Sequence, residues 1–279
     1  FELLNRNKRS VTLDLRSRDA GPVLHALVAT ADVVVDSFRP STARRLGVDA
    51  VALRAKYPRL VCASIIGFAR NGPRAETPGH DLNYQALAGL LRPPDMPGPL
   101  VSDVGAAAQA AIAILAALFE RERTGTGRAV DITLEAAAKA WTLFPTGREL
   151  ESACYMLYEA ADGEWLALGA LEAKFWEAFC RGIGRADLIP LQHARGEAGD
   201  RVLRDVRAVM RTRTREQWLA HFADADVCLT PVEYLRRCTP MAEGGASPAP
   251  ALGADTDVVL AEAGIGEAAR ADLRRRCVI

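Results

Sequence analysis

Two short apolar runs constrain the fold of this chain more than any other feature. Residues 32–38 read DVVVDSF, and residues 59–68 read RLVCASIIGF. An uninterrupted run of valines is typical of a parallel strand that is buried on both faces of its sheet. Helical spacing follows the first run at 49–58 and precedes it at 17–31, and residues 9–15 alternate like a further strand. This order predicts an α/β fold with a doubly wound, Rossmann-like parallel sheet.

The remaining patterns divide the chain of 279 residues into three parts. A long alanine-rich helix begins at Ser102 or Asp103 and ends at Gly125 and Gly127, and a strand and a helix follow it. We therefore predict a large α/β domain over 1–150. A hairpin that turns at Asp162-Gly163 then opens a smaller α+β domain over 151–238, with helices at 172–182, 201–212 and 214–224. Residues 239–279 form a linker and two short helices that return to the large domain.

Charge, cysteine content and hydropathy exclude several classes of function. The formal net charge is zero, which gives no reason to expect binding to nucleic acid or to an acidic membrane. The six cysteines form no CxxC pair, so we expect no metal site, and a reduced cytoplasmic location fits them best. We find no apolar run of the roughly 18 residues that cross a bilayer, and no signal peptide. We expect a soluble protein.

His80 is the one histidine whose surroundings form a motif. Pro78-Gly79 forces a turn before it, and a helical pattern begins directly after it. A helix dipole lowers the pKa of a histidine at the helix N-terminus and favours the neutral imidazole that a general base needs. A surface turn histidine would give the same pattern, so the residue alone leaves both interpretations open.

Two carboxylates also stand at the predicted starts of helices. Asp103 precedes the long helix, where aspartate is a common N-cap, and Glu172 lies where a strand ends and a helix begins. Spacing does not separate a capping carboxylate from a catalytic one.

Eight stretches in sequence order resemble the family III CoA-transferases (the CaiB/BaiF family), and the most specific are NRNKRSVTLDL at 5–15 and GHDLNY at 79–84. Within that family the GHDLNY motif is similar to the racemase branch. The resemblance implies an acyl-CoA racemase with His80 and Asp103 as its two acid/base groups and Glu172 as the partner of His80. It implies no metal and no redox cofactor, because CoA enters as part of the substrate.

The resemblance also implies where CoA binds and how the chains assemble. Arginine suits phosphate because its planar fork binds two oxygens at once. Family members form interlocked homodimers, so Glu172 would act across the subunit interface. The implied CoA contacts are Leu13, Asp14, Leu15, Arg16, Arg39, Arg45, Gly79, Asp81, Leu82, Asn83 and Tyr84.

Inversion at the carbon next to a thioester needs one base on each side of an enolate. The enolate oxygen gathers negative charge, and backbone N–H groups at the helix start near Asp103 are one place to seek its stabilisation.

Two alternatives stay open at this point. In the transferase branch the residue equivalent to Asp103 attacks the thioester, so the chain could move CoA between carboxylic acids through an Asp103 acyl intermediate. The family also begins with a strand–helix–strand unit before NRNKRS, which we expect to be absent from the large domain. A CoA-binding protein without catalysis is the third interpretation.

Overall fold

A computed structural model describes residues 1–143, 150–233 and 247–279 of the chain. The residues form two compact units, which we call the large unit (Phe1–Leu143 with Pro240–Ile279) and the small unit (Phe144–Thr239). The C-terminal helices therefore belong to the same unit as the N-terminal half. Cys238 and the first residues of the predicted linker lie outside the described residues.

The large unit is built on a three-stranded parallel sheet. Its strands are β1 (Val33–Asp36), β2 (Val61–Ile66) and β3 (Ala129–Thr133), in the spatial order β1-β2-β3. Val33 pairs with Val61 and Cys62 pairs with Ala129. The central strand β2 is almost fully buried, as its apolar run predicts. The expectation that the valine strand β1 is buried on both faces was wrong, because β1 lies at an edge of the described sheet and Val35 is 55% exposed. The prediction of an α/β fold with a parallel sheet is confirmed.

Helices cover both faces of this sheet. Successive side chains of a strand point to opposite faces, so Cys62 and Ala63 enter two different cores. Helices α1 and α3 lie on the Cys62 side, and α5 and α6 lie on the Ala63 side. The helices of the large unit are α1 (Ala20–Ala29), α2 (Pro40–Leu46), α3 (Ala50–Lys56), α4 (Asp81–Ala88), α5 (Val101–Thr124) and α6 (Leu134–Ala140). The sequence patterns predicted all of these except α2.

The strand predicted over residues 9–15 is wrong. This segment joins no sheet, and its backbone is held instead by the C-terminal part of the large unit. Ser10 and Asp255 exchange two hydrogen bonds, and the amide of Asp14 donates to the carbonyl of Val278 at 2.8 Å. Residues 9–15 therefore contact the segment that contains the two C-terminal helices, Thr256–Glu262 and Glu267–Arg275.

The small unit contains the predicted hairpin. Strands β4 (Tyr155–Glu159) and β5 (Trp165–Gly169) are antiparallel, and Gly163 at the turn has φ +78°, where a side chain would be strained. A short strand that the sequence patterns missed, β6 (Leu229–Pro231), pairs with β5. The core of this unit is rich in aromatic residues. Its helices are α7 (Ala173–Gly182), α8 (Gly196–Met210) and α9 (Arg215–His221), with a 3₁₀ turn at Ala186–Leu191.

Helix α5 is the longest element of the chain. Its buried residues pack on β2, β3 and α6, while Val104, Ile112, Leu115 and Phe119 are exposed along its outer side. By length and composition alone, α5 could cross a bilayer, so the expectation that no segment is long and apolar enough was wrong on this measure. A core helix of a soluble domain meets the same criterion.

The cysteines of the described residues carry free thiols. Cys62, Cys154 and Cys180 are buried, whereas Cys228 and Cys277 are exposed. Burial raises the pKa of the Cys62 thiol to about 11 and that of Cys180 to about 12. These two thiols therefore stay protonated at neutral pH and act as small apolar side chains.

Two glycines end α5, as the sequence predicts. Gly125 is the left-handed C-cap, with φ +74°. Gly127 is needed for a different reason, because a Cβ there would lie 2.1 Å from the carbonyl oxygen of Leu60. The neighbour is backbone at the entrance to β2, which has no freedom to move aside.

We expect Gly127→Ala to destabilise the large unit by about 1–3 kcal/mol, because the added methyl group overlaps fixed backbone. Gly21→Ala is the matched control: it lies in α1 with no atom within 4 Å of the new methyl group, and should be neutral or stabilising. Urea unfolding of both variants measures the difference. Equal stability of Gly127→Ala and the wild type would contradict the close approach.

Candidate active site

A cavity of about 390 Å³ opens at the carboxyl ends of β1 and β2, within the large unit. Doubly wound sheets bind their ligands at this edge. The volume of the cavity is within the usual range for small-molecule sites. Its walls combine apolar side chains with a few polar groups. The lining residues are Ser37, Phe38, Arg39, Ile65, Ile66, Gly67, Ala75, Thr77, Pro78, Gly79, His80, Tyr84, Asp103, Ala107 and Leu134.

His80 stands at the N-cap position of α4. Its backbone is extended (φ −124°, ψ 172°), and its amide donates to Oδ1 of Asn83 at 3.0 Å. The amide of Asn83 in turn donates to the carbonyl of His80 at 2.8 Å. The imidazole itself lines the cavity and is exposed. The ring is therefore exposed to the cavity and available to act on a ligand.

Asp103 is the third residue of α5, so of the two interpretations that its sequence left open, the N-cap does not apply. The N-cap position belongs to Leu100, whose side chain has no acceptor. Asp103 lines the cavity with a carboxylate that makes no capping bond. Its pKa is raised, first by burial and then by the neighbouring Asp81 carboxylate, while His80 acts in the opposite direction. A raised pKa brings a carboxyl group closer to the proton affinity that acid/base work at neutral pH requires.

The capping group of α5 comes from the adjacent helix. Asp81, the first residue of α4, is only 4% exposed, and its Oδ1 accepts the amides of Ser102 at 2.8 Å and Asp103 at 3.0 Å. The amides of Ser102 and Asp103 in the first turn of α5 are therefore occupied. Stabilisation of an enolate oxygen at this helix start stays a prediction, and these two amides are not free to provide it.

Tyr84 fits between two glycines at the back of the cavity. A Cβ on Gly67 would lie 2.5 Å from the tyrosine hydroxyl, and one on Gly79 would lie 2.8 Å from it. The ring meets Phe68 edge-on, with centroids 5.4 Å apart. Burial and the Asp103 charge raise the pKa of Tyr84, which keeps the phenol protonated. Tyr84 therefore brings a neutral hydroxyl close to Asp103.

The loop that delivers His80 is held by charged side chains that sequence inspection missed. Arg70 forms two hydrogen bonds to Asp131 in β3, at 2.7 and 2.8 Å. Glu76 accepts the amide and the hydroxyl of Ser41 at the start of α2. These partners are 35 and 61 residues apart in the sequence, so no local pattern reveals them.

The structure brings only some of the predicted ligand residues to the cavity. Arg39, Gly79, His80, Tyr84 and Asp103 line it. The other predicted CoA residues of the large unit are not among its described lining residues, and Asp14 pairs with Arg16 instead. The others are Leu13, Asp14, Leu15, Arg16, Arg45, Asp81, Leu82 and Asn83.

Glu172 belongs to the small unit. It occupies the N-cap position of α7, is exposed, and makes no side-chain capping bond. Its expected partnership with His80 stays a prediction. Among the described residues, no group of three or more histidine, cysteine or acidic side chains could hold a metal ion.

Comparisons with known proteins place this geometry in context. The family model "CoA-transferase family III" matches residues 1–243. The chain is 31% identical to the human alpha-methylacyl-CoA racemase over 253 residues, which cover 82% of this chain and 66% of the racemase. It is 30% identical over 223 residues to the succinyl-CoA–D-citramalate CoA-transferase of Chloroflexus aurantiacus, covering 71% and 56% of the two chains. This chain thus spans about two thirds of the racemase and little more than half of the transferase.

Solved structures share the fold. A crystal structure of the protein Rv3272 from Mycobacterium tuberculosis superposes with a TM-score of 0.79 at 24% identity, covering 93% of this chain and 84% of that one. At this identity the likeness concerns the fold alone.

The raised pKa of Asp103 predicts a stability effect with a defined sign. Folding favours the protonated carboxyl group, so its stabilising contribution is present at low pH and is lost as the pH rises through the folded-state pKa. Asp103→Asn should therefore unfold at the same temperature as the wild type below about pH 4, and at an equal or higher temperature at pH 7.

Thermal unfolding of both proteins across this range measures the effect. Asp14→Asn is a control of opposite sign, because Arg16 lowers the pKa of Asp14. A clear loss of stability in Asp103→Asn at pH 7 would contradict the assignment.

Proposed function

This chain belongs to CoA-transferase family III, and we propose that it is an acyl-CoA racemase that inverts the α-carbon of a 2-methylacyl-CoA thioester. One observation carries the proposal: His80 and Asp103 line the same cavity. An imidazole and a carboxylate facing one space are the two groups that a proton transfer through an enolate needs.

In the proposed reaction each group serves one face of the substrate. One removes the α-proton, the electron pair moves onto the thioester oxygen, and the other returns a proton to the opposite face of the same carbon. The roles exchange in the reverse direction. These proton transfers require neither a metal nor a redox cofactor, because CoA is already part of the substrate.

The start of α4 is the better candidate for holding the enolate oxygen. Within the described residues, the amides of Asp81 and Leu82 donate to no acceptor, and both lie next to His80 in the chain. Helix N-terminal amides favour negative charge because their N–H groups and the helix dipole point towards it. We prefer it to the start of α5, where Asp81 occupies the amides of Ser102 and Asp103.

The cavity walls support a short branched acyl group at the reacting end. Phe38, Ile65, Ile66, Ala107 and Leu134 contribute apolar surface beside the two acid/base groups. Arg39 contributes the only guanidinium among the described lining residues and could meet a phosphate of CoA.

CoA transfer is the competing function, because the relatives of this chain include transferases as well as racemases. In that reaction the Asp103 carboxylate would attack the thioester carbonyl and expel the CoA thiolate, and the thiolate would attack the Asp103 carbonyl of the resulting anhydride, which releases the donor acid and leaves Asp103 as a CoA thioester. The acceptor carboxylate would then attack this thioester and expel the thiolate, and the thiolate would attack the acceptor carbonyl of the second anhydride to give the new acyl-CoA and free Asp103. His80 would have no required role. The requirement for an acceptor acid therefore separates the two functions.

Incubation with (R)- and (S)-2-methylacyl-CoA in heavy water, with no acceptor acid, tests the proposal directly. We expect deuterium at the α-carbon and conversion of each epimer into the other. His80→Ala and Asp103→Asn should each slow epimerisation by about 10² to 10⁴, the usual contribution of a general acid or base. Each variant should lose most exchange from the epimer that its missing group deprotonates.

His193→Ala, in an exposed turn of the small unit, is the control and should behave like the wild type. Full epimerisation by His80→Ala would contradict the racemase proposal. Turnover that appears only when a carboxylic acid is added, and that survives His80→Ala but not Asp103→Asn, would establish transfer instead.

We further propose, from the family resemblance, that the protein works as an interlocked homodimer in which Glu172 of one subunit serves His80 of the other. His80→Ala and Glu172→Ala should each be inactive alone. Subunits that are unfolded together and refolded as a mixture should regain activity, because a mixed dimer contains one site without either change. Mixtures that stay inactive would place both residues in the same subunit.

A further inference from the structure

Asp81 is a buried carboxylate whose two oxygens are both in use. Its Oδ1 accepts the amides of Ser102 and Asp103, and its Oδ2 accepts the side-chain amide of Gln85. The same Gln85 nitrogen also donates to the carbonyl of Pro99 at 3.1 Å. These contacts tie the first turns of α4 and α5 to each other and to the loop that precedes α5.

Helix α5 depends on this external acceptor. The first N–H groups of any helix have no partner within the helix, and a side chain at the N-cap position usually accepts from them. Leu100 occupies that position here and offers no acceptor. Hydrogen bonds to a charged group are stronger than neutral ones, so a single buried carboxylate defines where this helix begins.

We propose that Asp81 is a positioning residue for Asp103: its carboxylate holds the first turn of α5 so that the Asp103 side chain faces the cavity beside His80. The inference rests on the proposed use of Asp103 in the reaction, whether as a base or as a nucleophile. It assigns the Asp81 side chain a different role from the CoA contact that the family resemblance implies.

The charge of Asp81 has a second consequence for Asp103. His80, Asp81 and Tyr84 are the groups of α4 that face Asp103. Arg39 lines the same cavity, and α6 contributes only the apolar Leu134 to the lining of this cavity. Of these, Asp81 is the nearby anion, and it adds to burial in raising the pKa of Asp103. Position and protonation of Asp103 thus depend on one neighbouring carboxylate.

Asp81→Asn separates charge from capping. The asparagine Oδ1 can still accept the two amides of α5, and the Gln85 side chain can turn its oxygen towards the new amide group. We expect the titration midpoint of Asp103, followed by carboxyl-carbon NMR on the free protein with labelled aspartate, to fall, because the neighbouring anion is gone. The acid limb of the exchange rate should shift in the same direction.

Asp81→Ala removes the cap as well as the charge. We expect kcat to fall by about tenfold or more, because a misplaced catalytic group loses reaction geometry. The KM for acyl-CoA and the dissociation constant for free CoA should change little, because the buried side chain does not reach a ligand. Thr214→Ala is the control: the Thr214 hydroxyl caps α9 in the small unit by accepting the amide of Gln217, and it is not among the cavity's described lining residues.

Two results would overturn the inference. One is weaker CoA binding in Asp81→Asn with an unchanged Asp103 midpoint, which would make Asp81 a ligand contact. The other is fast hydrogen exchange at the Ser102 and Asp103 amides of the wild-type protein. This measurement does not depend on whether any variant folds. The NMR measurements use no substrate, so they stand even if the chain proves to be a transferase.

Discussion

The contact between the buried Asp81 carboxylate and the first amides of α5 sets the geometry of this site. Two helices begin next to each other at the carboxyl edge of the sheet, and each has unpaired N–H groups at its start. Asp81 belongs to the first turn of one helix and satisfies the first turn of the other. This arrangement places His80 and Asp103 at one cavity even though 22 residues separate them in the sequence.

The same contact gives the two helix starts different chemical roles. The Ser102 and Asp103 amides of α5 are occupied by the Asp81 carboxylate, and Asp103 presents its side chain to the cavity. Within the described part of the chain, the Asp81 and Leu82 amides at the start of α4 have no acceptor and stand beside the imidazole. One helix start thus supplies a carboxyl group of raised pKa, and the other supplies an imidazole and two backbone amides.

Close packing behind the cavity keeps these groups in place. Tyr84 occupies space that exists only because residues 67 and 79 are glycines, and Arg70 fastens the intervening loop to β3. The central strand β2 beneath the site is almost fully buried, and helices cover both faces of its sheet. Substrate fit would then be decided by the walls of the cavity, whose apolar members include Phe38, Ala107 and Leu134.

The sequence by itself determined the elements whose signals are local. The valine run predicted a parallel strand correctly but not its burial, because β1 lies at an edge of the described sheet and Val35 is 55% exposed. The Asp-Gly pair predicted a hairpin turn, and GHDLNY indicated both a helix start and the family. The alternating pattern in residues 9–15 led to a wrong prediction of a strand. An extended segment that the C-terminal part of the chain holds can show the same alternation as a strand. Helix α2 is too short for a periodic pattern to distinguish it from a loop.

Only the tertiary structure decided which groups meet. Asp103 has the local signature of an N-cap, and nothing in the neighbouring residues tells that a carboxylate on another helix already caps α5. Burial of Asp81, the occupied amides of α5 and the raised pKa of Asp103 all arise from contacts between segments far apart in the chain. A sequence pattern reports the period and chemistry of neighbouring residues, whereas hydrogen-bond partners and desolvation depend on how those segments pack.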